Sequence, residues 1–99
     1  MDNPHYTALA TALQAAYAQA AFGKGKDRHA NGRPFDQQPI MEIGRMVGPG
    51  YQTGQAMKKS QEAMGMLTRG ERDRARAELL GAINYLAAAW HMIGEMEEG

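Results

Sequence analysis

Cysteine is absent from this 99-residue chain, and with it go disulfides, thiolate nucleophiles and cysteine-held zinc. Net charge is absent too. Eleven Lys and Arg balance eleven Asp and Glu, so bulk attraction to nucleic acid or to an anionic membrane has no source, and any electrostatic function must sit in a local patch. No apolar run approaches the roughly 20 residues that span a bilayer, and the opening MDNPHYTAL lacks the basic region and leucine-rich core of a secretory signal. The expectation is a cytoplasmic protein in a reducing setting. β-Branched residues are scarce. Alanine-rich segments and eight methionines take their place, a composition that favours helix over sheet. Methionine, flexible and polarisable, is expected here as core filling.

The length suits one domain, expected to run over residues 1–99. Asp2 or Asn3 can cap a first helix with Pro4 in its opening turn, running to Phe22; Tyr6, Leu9, Leu13, Tyr17 and Ala20 recur at helical spacing and define its expected buried face. Glycines and Pro34 make 23–35 a loop. Asp36 reads as the cap of a short helix from Gln37 to Val47, with Ile40, Ile43 and Val47 inward, closed by Gly48-Pro49-Gly50. A third helix follows from Tyr51 or Gln52 to Leu67, with Ala56, Ser60, Ala63 and Leu67 on one face, and Thr68-Arg69-Gly70 turns the chain back. In the last helix Leu79, Ala82, Leu86, Ala89, Ile93 and Met96 keep a heptad seam, with Ile83 and Trp90 widening it. Such a helix is apolar nearly all round and should be central. The expected fold is all-α: a helical hairpin over 51–97 with a long central C-terminal helix, buttressed by the N-terminal helix and the short one. A helix of ~40 Å is more than the others can wrap, so a homo-oligomer joined through it is expected.

Four groups of residues can carry chemistry. Asn84 and His91 share a stripe with the small residues Gly81 and Ala88; they could line a polar pocket, or Asn84 could make one inter-helix hydrogen bond that fixes register. Arg69, Arg72, Arg74 and Arg76 open the last helix, where the dipole disfavours cations; a docked anion would reverse that cost, while pairs such as Arg74 with Glu78 and Asp73 with Arg76 would leave a solvated face. Tyr51 in GPGYQTG, then Gln55, Lys58 and Lys59, combine a ring for stacking with ammonium groups for phosphate. Finally, the loop holds Lys24, Lys26, Arg28, His29 and Arg33 against Asp27 alone. Gly23-Lys24-Gly25-Lys26 is not a Walker motif, because the glycine spacing, the following Ser or Thr and the preceding strand are all missing. What is left is a segment suited to closing over an anion, or a plain linker. Catalysis finds little: Glu42, Glu62 and Glu78 are the only carboxylates inside the helices, His5, His29 and His91 show no ligand spacing, and no nucleophile has an evident base. No cofactor and no metal are expected.

Phe35-Asp-Gln-Gln-Pro39-Ile40, Gly54-Gln55-Ala-Met-Lys58-Lys59 and Glu78-Leu-Leu-Gly81-Ala-Ile-Asn84-Tyr-Leu86-Ala-Ala-Ala together resemble small helical proteins of bacteriophages and prophages, over some two thirds of the chain. Within the last stretch, about ten residues from Glu78 are similar to a helix of the all-α NTP pyrophosphohydrolases, in which acidic residues on paired helices hold magnesium. Glu78 fits that pattern. Ala82 stands where an Asp is expected, and Lys58 and Lys59 replace glutamates on the preceding helix. What the resemblance implies is a metal site lost and nucleotide binding kept without hydrolysis.

The leading expectation is therefore a phage-type helical homo-oligomer that binds a nucleotide-like anion without turnover, sequestering a defence-signalling nucleotide. Tyr51 would stack on the base while Lys58, Lys59 and the 24–33 loop meet phosphate. A protein-binding inhibitor of a host defence system, acting through the Arg69 to Arg76 face or the acidic tail, is the alternative. A residual magnesium pyrophosphohydrolase is the third reading, and its turnover would collapse on Glu78→Gln.

Overall fold

Asn3 opens the first helical segment as its composition suggests: its side chain accepts a hydrogen bond from the His5 N–H at 2.9 Å. Pro4–Tyr6 form a 3-10 turn that leads into α1, Thr7–Phe22. The computed structural model describes residues 2–23 and 32–96. A second 3-10 turn, Phe35–Gln37, takes in Asp36, which therefore does not cap the next helix. That position falls to Gln38, with extended backbone, and α2 runs Pro39–Val47 with proline in its first turn, where a missing N–H costs nothing. Gly48 stops α2 at φ +100°, a conformation that side chains with a Cβ rarely adopt.

The third and fourth helices are α3, Gly50–Thr68, and α4, Arg72–Glu95. Between them Gly70 takes φ +78°. Its N–H donates to the Leu67 carbonyl and that of Glu71 to the Met66 carbonyl, so the last carbonyls of α3 are satisfied by a Schellman turn. Among the described residues there is no strand, and no helix is long and apolar enough to cross a membrane. The expected all-α architecture is the observed one. α3 and α4 form the hairpin, α1 lies along α4, and α2 bridges α3 and α4, so α4 is the element every other helix touches.

The side chains inside this frame are small. Ala16, Ala56, Ala63, Ala75, Ala82, Ala88 and Ala89 are buried, joined by Met41, Met92 and Gln52. Alanines let helix axes come close, and the large apolar residues then fall outside. Along the N-terminal segment Ala16 is buried and Ala20 half-buried, while Tyr6 of the 3-10 turn and Leu9, Leu13 and Tyr17 of α1 are exposed, which corrects the expected buried face. On α2 Met41 and Gly44 are buried and Ile40 packs against the core as expected, whereas Ile43 and Val47 are exposed. In the heptad seam of α4 only Ala82 and Ala89 are buried; Leu79, Leu86, Ile93 and Met96 are exposed. Ser60 and Leu67 of α3 are likewise outside. Methionine fills the core at Met41 and Met92, whereas Met46, Met57, Met64 and Met96 are exposed.

One polar side chain belongs to this core. Gln52 is fully buried; its amide Nε2 donates to the Ile40 carbonyl at 3.0 Å and to Met92 Sδ at 3.5 Å, tying α2, α3 and α4 together. A Cβ added at Gly44 would run into that amide, so the glycine is what lets α2 settle over it.

Candidate functional site

The residues singled out from the sequence fall in separate places. Lys24, Lys26, Arg28 and His29 lie outside the described residues. Tyr51 and Lys59 are brought together on one flank of the hairpin: the Tyr51 ring meets Tyr85 edge-on, with centroids 6.0 Å apart, and Lys59 Nζ sits 5.9 Å from the Tyr85 centroid, a cation–π distance. Burial, together with a hydrogen bond to Tyr51, pushes the Tyr85 hydroxyl up to about 12. Lys59 also faces Glu78 Oε1 at 3.9 Å, and Gln55 is half-buried one turn after Tyr51. Lys58 points to solvent beside Glu62 at 3.8 Å. Asn84 is elsewhere: its Nδ2 donates to the Ala16 carbonyl at 3.0 Å, fastening α4 to α1. This is the inter-helix hydrogen bond of the two options the sequence left open. His91 is exposed on the last turns of α4, 3.6 Å from Glu95.

All three helix-interior carboxylates face a cation. Glu42 pairs with Arg33 at 2.6 Å, Glu62 with Lys58, and Glu78 with Lys59. Glu78 Oε2 is buried with no hydrogen-bond partner. Among the described residues no group of three His, Asp or Glu side chains is placed to hold a metal ion. At the start of α4 the expected pairs are replaced: Arg74 meets Glu71 at 3.0 Å rather than Glu78, and Arg69 meets the same Glu71 at 3.1 Å. Glu71 thus gathers two of the arginines on the turn, which eases the unfavourable dipole contact locally.

Asn84 has a second role in the geometry, because it borders a cavity of about 690 Å³ between α1, α4 and residues 32–38. Leu13, Tyr17, Ala20, Phe35, Ile83 and Ala87 give it apolar walls, and Arg33, Gln38 and Asn84 supply its polar groups. Arg33 is held in place by Glu42 and by the Gln37 carbonyl at 3.3 Å, while Gln38 Nε2 donates to the Arg33 carbonyl at 2.9 Å. The volume lies within the ~300–1,000 Å³ typical of small-molecule pockets, and apolar walls with a few placed polar groups are their usual lining. From the sequence Tyr17 reads as part of the buried face of the first helix and Ile83 as part of the apolar face of the last, and nothing marks them or Phe35 as neighbours around a cavity. Asn84, polar among small residues, and Arg33, one of the basic residues of the expected loop, are the two candidates that do border it. No protein-family model matches the chain, and neither a curated protein nor a solved structure does.

Proposed function

We propose that the chain is a non-enzymatic binding protein for a nucleotide-like anion, with the cavity between α1 and α4 as its site. The cavity carries the reading: its size suits a nucleotide, Tyr17 and Phe35 present ring surface to a base, and Arg33 presents a planar fork of donors to phosphate. Tyr51, Lys58 and Lys59 stand apart from it on the hairpin, each lysine beside a glutamate. Pairing of Glu78 with Lys59 in place of a convergent acidic cluster supports holding a nucleotide over hydrolysing it. If the likeness to phage proteins reflects origin, the use of such binding is to sequester a host signalling nucleotide in the cytoplasm.

Isothermal calorimetry against a panel of cyclic and linear nucleotides tests this. At least one member should bind. Arg33→Ala should weaken that binding by about 10-fold or more, the worth of one charged hydrogen bond, and Ala87→Trp should abolish it by filling the cavity. Silence of the folded protein across the panel removes the idea. Were the panel silent and a host protein recovered in stoichiometric amount, with capture lost on charge reversal at Arg72 and Arg76, the inhibitor reading would take its place.

A further inference from the structure

The α3–α4 hairpin has two long flanks of opposite character. One carries Lys59, Glu78 and Tyr85, and α2 packs there through Gln52 and Met92. The other holds Met57, Met64 and Leu67 of α3 at spacings of seven and three, and Leu79, Leu86 and Ile93 of α4 at spacings of seven. Because the two helices are antiparallel and meet along Ala56, Ala63, Ala75 and Ala82, both sets fall on the same side of that seam. All six side chains are between 36% and 73% exposed. No charged residue interrupts the set: Thr53 and Ser60 complete the α3 row, and Trp90, 78% exposed, borders the α4 row.

A lone helical chain in water puts its large apolar residues inside and small or polar ones out. This hairpin does the reverse. The area is large enough to matter: at these exposures the six side chains and Trp90 together present on the order of the ~800 Å² that each partner gives to a stable interface.

We infer that this flank is where a second copy of the same chain packs, hairpin against hairpin, to make a four-helix bundle. A self-complementary patch is what a two-fold dimer needs. An uncharged surface several turns long suits an identical surface better than a partner recognised by charge. Leucine, isoleucine and methionine rows at heptad spacing are the rows that interdigitate at the shallow crossing angles of such bundles. The cavity lies on the other side of α4 from α3, so nucleotide binding and this pairing are separate properties that can fail separately.

Light scattering on the purified full chain should give about 21.6 kDa, twice 10.8 kDa. Met57→Glu with Met64→Glu should give 10.8 kDa with unchanged far-ultraviolet helicity, because in the lone chain both side chains already meet water. Leu9→Glu on α1 should leave the dimer intact. Dilution of the wild type is a readout free of substitutions: as the mass falls, Trp90 fluorescence should shift to the red. A wild type of 10.8 kDa at millimolar concentration, a dimer that survives the double substitution, or dissociation that leaves Trp90 unaltered would each overturn the inference.

Discussion

Gln52 shows how a single residue fixes the register of three helices. Its Nε2 is matched to the Ile40 carbonyl, its Oε1 is buried with no partner, and Gly44 makes room for it. Gln52→Ala removes the donor and leaves a void in a core that has few large groups to collapse into it. Urea denaturation should therefore show a loss of about 2–4 kcal/mol; a change within experimental error would mean that the amide only fills space. Little of this was legible beforehand. A lone glutamine inside a helix reads as surface, and its burial follows from where α2 lands, which no local pattern encodes. Asn84 was more visible because it interrupts an apolar run, and its bond to the Ala16 carbonyl is one of the two outcomes its setting allowed.

At the scale of elements, the helices and their order were legible because glycine, proline and caps punctuate the chain at Asn3, Gly48 and Gly70. Their faces were not. Periodicity marks where apolar residues recur without distinguishing the side that meets the chain's own core from the side that meets something else. Where alanines alternate with leucines, the close-packed seam selects the alanines and turns the leucines outward. α2 is kept on the end of α4 by Arg45, which donates to Glu95 through Nε at 3.1 Å and through Nη2 at 2.8 Å. Those hydrogen bonds hold the Glu95 carboxyl below its ordinary value, with the charges of Arg45 and His91 adding to the effect. A carboxyl whose folded value is depressed contributes its full share above the unfolded value and loses it as pH falls through the folded one. Melting temperatures measured from neutral pH downward should fall for the wild type and fall less for Arg45→Met, with α2 amides losing protection against hydrogen exchange in acid. Parallel curves would show that the pair is solvated and idle, as exposed ion pairs often are.

For the molecule as a whole, α4 presents two sides of different character. Its side toward α1 borders a cavity with Asn84 and Arg33 at its edge, and its side next to the α3 seam presents leucine and isoleucine to the outside. The cavity was hardly readable from the sequence, since it is made by residues from α1, the 32–38 stretch and α4 that are far apart along the chain. The basic residues suspected for ligand binding were divided by the fold: Lys58 and Lys59 stay with their glutamates on the hairpin, and Arg33 stands at the cavity. This division makes the location of the site testable apart from its affinity. The most direct measurement is a nitrogen-15 amide spectrum of the full chain titrated with ATP and, separately, with cyclic AMP. Shifts gathered on Tyr17, Gly32, Ile83, Asn84 and Ala87 are the predicted result; an unchanged spectrum, or shifts gathered instead on Tyr51, Gln55 and Lys58, would contradict it.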